Sequence, residues 1–265
     1  MSRKVLEKIY DLSKKFLLCT VLLAIAYISF EVYISQRQVV LLEEDTKYGK
    51  IWVYDQNDRR CLSFLEPKTT TKFQSCMNIK NPDQIIFEAY KVMIGALHLK
   101  NKPGSILLIG LGGATIPKAI YNFFPDAKLD IVEINPAVAN AASKFFDFKI
   151  NSNTKLYIED ATKFAASNIT SSYDVIILDA YNSEGIPEDI VADKFVKNIT
   201  QKLLPDGIII VNTSAHSDVQ YKLQKLFKTH LQYELVENAH LNNIYIFSAH
   251  EIPNPQRLRE NILKD

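Results

Sequence analysis

The sequence has few cysteines, few histidines and no excess of charge of either sign. Its cysteines, Cys19, Cys61 and Cys76, do not show metal-ligand spacing, and its five histidines are scattered along the chain. A net charge of +1, from 31 basic and 30 acidic residues, gives no electrostatic basis for binding nucleic acid, and no basic run is present. We therefore expect neither a metal site nor a nucleic-acid partner. The 265 residues, 47% of them hydrophobic, suffice for one large domain with a small appendage.

Glycine is scarce too, and three of the eight glycines lie together in the segment 105–115, which reads SILLIGLGGAT. The apolar run 106–109 predicts a strand that is buried on both faces, as in a parallel sheet. Gly110, Gly112 and Gly113 follow at once, and a helix is expected from about Ala114 to Phe124. A strand, a glycine turn and a helix present backbone N–H groups to a nucleotide-like ligand. A plain strand-to-helix turn is the alternative interpretation.

Acidic residues follow the next three predicted strands. Glu133 ends the strand 129–132, 23 residues beyond Gly110, where a carboxylate can accept both hydrogen bonds of a ribose diol. Asp160 follows the strand 155–158 and can accept from an adenine amino group or cap a helix over 161–168. Asp179 ends the apolar strand 173–178. Because ligands bind at the carboxyl ends of parallel strands, these acids and the glycine turn predict one shared site.

The remaining elements complete an α/β fold. We expect a helix from Pro82, a helix over 188–204, a strand over 208–212 after a turn at 205–207, and a helix over 219–230. Strands over 235–236 and 243–248 are expected to form an antiparallel pair. The sequence thus predicts a Rossmann-like, seven-stranded sheet of the methyltransferase type with helices on both faces. This adenosyl-binding domain is expected to span 79–250, followed by a polar tail, 251–265.

A small β-rich domain is predicted before it, over 38–78. Polar residues alternate with apolar and aromatic ones over 50–54 and again over 60–64, with turn residues between them, which indicates a hairpin. Residues 68–74 are a candidate third strand. The region is too small for its own core, so we expect it to pack on the larger domain.

The first 37 residues combine a basic segment with an apolar helix. Residues 16–30 carry no charge, and the apolar character continues past Glu31 to Ile34. Since a span needs about 20 apolar residues, we interpret 16–34 as a single membrane helix. A signal peptide cleaved near Ala24–Ala26 and a helix that covers a partner are the alternatives. Flanking positive charge places the main domain outside the cytoplasm, whereas the supply of an adenosyl metabolite favours the cytoplasm. The side of the membrane on which the domain lies is therefore left open.

These motifs, in this order, resemble the spermidine synthase-like (polyamine aminopropyltransferase) family over about residues 40–250, within the superfamily of S-adenosylmethionine-dependent methyltransferases. The resemblance rests on the segments ILLIGLGGAT, DIVEINP, YIEDATKF, YDVIILDAYNSEGIP and LLPDGIIIVN. It implies an aminopropyl transferase of polyamine biosynthesis, with decarboxylated S-adenosylmethionine as co-substrate, no tightly bound cofactor and a small-molecule amine as acceptor. It implies Asp179 as the catalytic residue. The donor would be bound by Gln74, Gly110, Gly112, Gly113, Glu133 and Asp160.

Three positions depart from the family pattern. Synthases carry an aspartate that binds the donor's amine at the position of Gly113. They carry a Tyr-His pair at the position of Phe87-Glu88. After the catalytic aspartate they carry a further acidic residue, where this chain has Tyr181-Asn182. Glu88 and Glu184 are candidate substitutes. Because S-adenosylmethionine itself carries a carboxylate, a loop without aspartate favours a methyltransferase as the second hypothesis. A non-catalytic, membrane-tethered relative is the third.

Partner and compartment predictions follow from these hypotheses. We expect contact with the membrane through the N-terminal helix, and a homodimer is an open alternative. If the domain lies outside the cytoplasm, Cys61 and Cys76 can form a disulfide; inside it they are expected to stay reduced.

Overall fold

A computed structural model describes residues 3–35, 38–67, 73–100, 102–168, 172–214, 218–237 and 240–252. Its helices are α1 (Arg3–Ser35), α2 (Glu88–Leu97), α3 (Thr115–Phe123), α4 (Pro136–Phe145), α5 (Ala161–Ala166), α6 (Glu188–Val191), α7 (Asp193–Thr200) and α8 (Val219–Leu226). Its strands are β1 (Gln38–Thr46), β2 (Gly49–Gln56), β3 (Arg59–Ser63), β4 (Ser75–Asn78), β5 (Ser105–Ile109), β6 (Lys128–Glu133), β7 (Thr154–Ile158), β8 (Tyr173–Leu178), β9 (Leu203–Ser214), β10 (Thr229–Glu237) and β11 (His240–Ser248).

The large sheet confirms the predicted fold class. Its strand order is β10-β11-β9-β8-β5-β6-β7. Strands β5 to β9 pair in parallel, and β11 runs antiparallel to both β9 and β10. The order reverses at β5, whose neighbours are β6 and β8. In open α/β sheets such a reversal opens a crevice at the carboxyl ends of the strands, which is where the glycine turn and Asp179 lie.

Apolar side chains cover both faces of this sheet, which explains the unbroken apolar runs of its strands. On β5, Ile106 and Leu108 pack in the cluster that includes α2 and α3, while Leu107 and Ile109 pack in the cluster that includes α5, α7 and α8. Consecutive residues of a strand point to opposite faces, so both sets must be apolar when helices cover both sides.

The small β-rich region is a four-stranded antiparallel sheet in the order β1-β2-β3-β4. The predicted hairpin is formed by β2 and β3, but β1 and β4 enlarge it on both sides. Ile51, Val53 and Leu62 from this sheet share a buried cluster with Ala137 and Phe146 of the large domain. The small sheet therefore packs on the large domain, as we expected, and the contact is made through α4. Residues 68–72 of the predicted third strand lie outside the described residues, and the strand that is present, β4, begins at Ser75.

Several predicted boundaries are wrong because tertiary contacts override local sequence signals. The helix expected from Pro82 begins at Glu88 instead. The preceding segment bonds elsewhere: the Asn78 side-chain oxygen accepts from the backbone N–H groups of Lys80 and Asn81, and the Lys118 ammonium donates to the Pro82 carbonyl at 3.2 Å.

The region 188–230 also differs from its prediction. The expected helix 188–204 is divided into α6 and α7 by the extended backbone at Ala192. Strand β9 already begins at Leu203, and a register shift lets it pair with β8 on both sides of the expected turn 205–207. Helix α8 ends at Leu226, four residues before the predicted end, and β10 begins at Thr229.

The N-terminal helix α1 is one continuous helix of 33 residues. Its segment Tyr10–Phe30 is long and apolar enough to cross a membrane, and none of the window that meets this test is buried against the rest of the protein. Length and composition alone are weak indications of a span, since a signal sequence has the same properties. The tail beyond residue 252 lies outside the described residues.

Candidate active site

The glycine turn after β5 is shaped by close approach to the chain that follows β8. Gly110 has a φ of 96°, and a Cβ placed on it would lie 2.2 Å from the carbonyl oxygen of Asp179. A side chain at this position is therefore excluded by both conformation and space. The Asp179 N–H donates to the Ile109 carbonyl at 2.9 Å. The turn and the backbone of Asp179 are thus fixed against each other.

The next glycines lie against the small sheet. A Cβ at Gly112 would have ordinary contact with Ser75, at 3.6 Å, although the φ of 52° favours glycine. A Cβ at Gly113 would come within 2.8 Å of Ser75 Oγ and 3.0 Å of a Phe146 ring carbon. Gln74, which precedes Ser75 in the chain, is half-buried. An aspartate at position 113 would not fit without movement of Ser75 and Phe146.

Glu133, at the end of the neighbouring strand β6, bonds to the backbone of the glycine turn. One of its carboxylate oxygens accepts the Leu111 N–H at 3.0 Å, and the other accepts the Asn135 N–H at 2.8 Å. The residue is buried, and this burial raises the pKa of the Glu133 carboxyl, while the N–H donors oppose the rise. The carboxylate therefore shapes the turn in addition to any bond to a ribose.

Asp160 lies at the same edge of the sheet, at the end of β7. Its Oδ1 accepts from the Thr162 N–H and from the Thr162 hydroxyl, both at 2.7 Å, so it caps α5. The capping role that the sequence left open is thus present. The structure places Asp160 near Glu133 through the neighbouring residue, because the Glu159 N–H donates to the Glu133 carbonyl at 3.0 Å.

Asp179 is half-buried, and it follows β8 at the carboxyl edge of the large sheet. Burial raises the pKa of its carboxyl to about 7, and a hydrogen bond from the side-chain amide of Asn212 at 2.8 Å partly opposes this rise. The negative charge of Asp179 also acts on the buried Tyr181 hydroxyl. Burial and this negative charge hold the Tyr181 pKa well above its usual value. A carboxyl group with a pKa near 7 is suited to accept a proton at neutral pH.

Sequence reasoning did not identify Asn212 or Ser75, and it noted Tyr181 only as a departure from the family pattern. In the described structure, the Asn212 Oδ1, the Tyr181 hydroxyl and the Ser75 hydroxyl are buried without a hydrogen-bond partner. Such groups are costly unless something satisfies them, and these three lie beside Asp179 or the glycine turn, where a polar ligand would meet them. Asn212 had a detectable signal, because it ends the apolar run 208–211 in the same way that Asp179 ends β8.

Comparisons with known proteins agree with this geometry. The family model described as the spermine/spermidine synthase domain matches residues 87–246. The polyamine aminopropyltransferase of Vibrio vulnificus is 30% identical over 233 residues, which cover 84% of this chain and 77% of that protein. The crystal structure of a probable spermidine synthase from Corynebacterium glutamicum has the same fold, with a TM-score of 0.69 at 18% identity, over 84% of this chain and 86% of that one.

A methyltransferase is also similar. The eEF1A lysine and N-terminal methyltransferase of Xenopus laevis is 30% identical over 227 residues, which cover 77% of this chain but only 32% of that protein. The fold and the site define a transferase that uses an S-adenosyl donor. Within that class, the chain belongs to the spermine/spermidine synthase family.

Proposed function

We propose that the protein transfers an aminopropyl group from decarboxylated S-adenosylmethionine to an amine. The observation that carries the proposal is Asp179, a carboxylate oriented by Asn212 and held against the glycine turn, with a pKa of about 7. Family membership supports the donor, and the position of Asp179 at the carboxyl end of the central parallel strands supports its catalytic role.

The reaction requires the protein to position the two substrates and to supply one base. The amine lone pair attacks the carbon bonded to the sulfonium, the C–S bond breaks, and its electron pair returns to sulfur to give neutral methylthioadenosine. The nitrogen gains a positive charge and releases a proton, which the Asp179 carboxylate accepts. Asn212 is a positioning residue in this scheme, since its amide holds one oxygen of the carboxylate and leaves the other for the amine.

Donor binding is assigned to the groups around the turn. Glu133 would hold the ribose diol, Asp160 the adenine amino group, and the backbone of Gly110 to Gly113 the methionine-derived part, with Gln74 at its border. Both observed bonds of Asp160 are made by its Oδ1, so its Oδ2 is the oxygen assigned to the adenine amino group. Glu133 already accepts from several backbone N–H groups, and a ribose hydroxyl would share its oxygens with them.

Methyl transfer is the second candidate, and one observation favours it. Gly113 packs against Ser75 and Phe146, so the turn has neither an acidic side chain nor room for one at the position where synthases bind the donor's amine. S-adenosylmethionine, which carries a carboxylate, would meet no repulsion from an acid there.

The test compares both donors on the full chain in detergent. We expect tighter calorimetric binding of the decarboxylated donor and release of methylthioadenosine when amines are added. Asp179→Asn is expected to abolish release while donor binding persists. Preference for S-adenosylmethionine, with S-adenosylhomocysteine as product, establishes methyl transfer instead. Binding of neither donor contradicts both candidates and supports a non-catalytic relative.

We also propose that α1 anchors the catalytic domain on the non-cytoplasmic side of a membrane. Two observations support this side. More positive residues precede the apolar segment than follow it closely, and Cys61 and Cys76 form a disulfide between β3 and β4, a bond that is typical of oxidising compartments. The donor must then be supplied on that side.

Thiol alkylation of intact cells tests the location. Cys61 and Cys76 are expected to resist alkylation until a reductant is added. Two thiols that react only after the cells are made permeable, with no reductant, place the domain in the cytoplasm.

A further inference from the structure

The acceptor side of the site has a limited supply of negative charge. A diamine carries two ammonium groups at neutral pH, and burying either one without a carboxylate or a full set of acceptors is costly. The number of carboxylates available beside Asp179 therefore limits the charge that an acceptor can bring. This reasoning rests on the proposed aminopropyl transfer.

The other acids at this edge of the sheet are already engaged. Glu133 accepts N–H bonds with both oxygens, and it lies behind the glycine turn. Asp160 caps α5 from the end of β7, with β6 and β5 between its strand and β8. Both are therefore on the donor side, and of the three acids that end described strands of this sheet, Asp179 is the one left for the acceptor.

The loop after β8 replaces a second carboxylate with neutral groups. The Asn182 side-chain oxygen accepts the N–H groups of Glu184 at 2.8 Å and Gly185 at 3.0 Å, so it holds the loop's own turn. Tyr181 adds a buried phenol, which burial and the charge of Asp179 keep neutral. These residues stabilise the loop but do not balance a second cation.

The two candidate substitutes are exposed to solvent. Glu88 is exposed at the start of α2 and pairs with Lys91 at 2.8 Å. Glu184 is exposed in the loop. The segments 68–72 and 215–217, which adjoin Gln74 and the end of β9 in sequence, contain no acidic residue.

The groups that do face Asp179 suit a single nitrogen. A neutral primary amine has two N–H groups and one lone pair. The Asp179 carboxylate can accept one N–H, and the buried Asn212 Oδ1, which has no partner in the described structure, can accept the other. The lone pair is then free to attack the donor.

We propose that the acceptor is a primary monoamine, with one amino group and an uncharged remainder, rather than a diamine. The juxtaposition of one carboxylate, one unpaired amide oxygen and one neutral phenol selects for an acceptor whose attacking amine is its only ionisable group. The Tyr181 hydroxyl, also without a partner among the described residues, can bond to an uncharged polar group on the acceptor.

The test uses acceptors of equal chain length: 1,4-diaminobutane, 4-amino-1-butanol and n-butylamine, with decarboxylated S-adenosylmethionine and the full chain in detergent. The rate of methylthioadenosine release gives kcat/KM for each. We expect at least one monoamine to exceed the diamine by about tenfold or more. A higher kcat/KM for the diamine overturns this inference but leaves aminopropyl transfer standing. No release with any of the three overturns the proposed function itself.

A pair of variants tests the cause. Asn182→Asp keeps an oxygen for the Glu184 and Gly185 N–H groups and adds a carboxylate, so the diamine-to-monoamine ratio of kcat/KM is expected to rise about tenfold. Glu184→Gln is the control and is expected to leave the ratio unchanged. A fall in the ratio in Glu184→Gln identifies Glu184 as a second carboxylate and contradicts the inference.

Discussion

Replacement of Asp179 by asparagine tests the electrostatics of the site independently of its chemistry. Folding raises the pKa of this carboxyl from an ordinary value of 3.8 to about 7, because burial disfavours the charged form. The native protein therefore holds a proton that the unfolded chain releases. The free energy of unfolding must fall as the pH rises through this window, from about 4 to about 7.

The size of the effect follows from the shift. A difference of roughly three pKa units corresponds to about 4 kcal/mol. Asp179 is only half-buried, so solvent screening reduces this value, and we expect about 2 kcal/mol. Asparagine keeps an oxygen that accepts from the Asn212 amide but carries no charge. Asp179→Asn is thus expected to be more stable than the wild type at pH 8 by about 2 kcal/mol, and the gain should vanish near pH 4.

Urea unfolding of the full chain in detergent, at several pH values between 4 and 8, measures this difference. Activity at pH 8 is expected to fall by about 10² to 10⁴-fold, as for loss of a general base. Asp189→Asn, which removes an exposed carboxylate on α6, is the control and should show no pH-dependent gain. If Asp179→Asn is no more stable than the wild type at pH 8, the carboxylate is not a poorly solvated charge, and the argument for its role as a base is lost.

Three further predictions concern the glycine turn, Asn212 and the disulfide. Gly110→Ala should destabilise the fold by about 3 kcal/mol or more in urea unfolding, because its Cβ meets the Asp179 carbonyl. Gly112→Ala, which has space, should cost only about 1 kcal/mol, and equal losses would contradict the contact. Asn212→Leu removes a bond that lowers the pKa of Asp179, so the acidic limb of the pH–rate profile should move to higher pH, and an unmoved limb would contradict the positioning role. Cys61→Ser should lower stability by about 3 kcal/mol without reductant, and the same loss with reductant present would show that the disulfide is not its cause.

The central parallel strands of the large sheet could be predicted because they carry strong local signals. The runs 106–109 and 175–178 are apolar throughout, and each is followed by glycine or aspartate. Parallel strands bring their carboxyl ends to one edge, so the proximity of the glycine turn to Asp179 followed from topology alone.

Contacts between distant segments could not be predicted in this way. The helix expected at Pro82 begins at Glu88, and the Pro82 carbonyl instead accepts a hydrogen bond from Lys118, 36 residues away. The packing of Ser75 against Gly113 depends on how the small sheet lies on α4. No local pattern in the sequence encodes that placement.

The donor and acceptor sides of the site differ in how tightly they are tied to the fold. Gly110 lies directly against the Asp179 carbonyl, and the Asp179 N–H is part of the ladder to Ile109. A change of donor that alters this turn must therefore disturb the Asp179 carboxylate as well. The loop that contains Asn182 instead satisfies its turn through its own residues, Glu184 and Gly185. Acceptor preference can consequently change through substitutions in this loop while the donor turn and Asp179 stay in place.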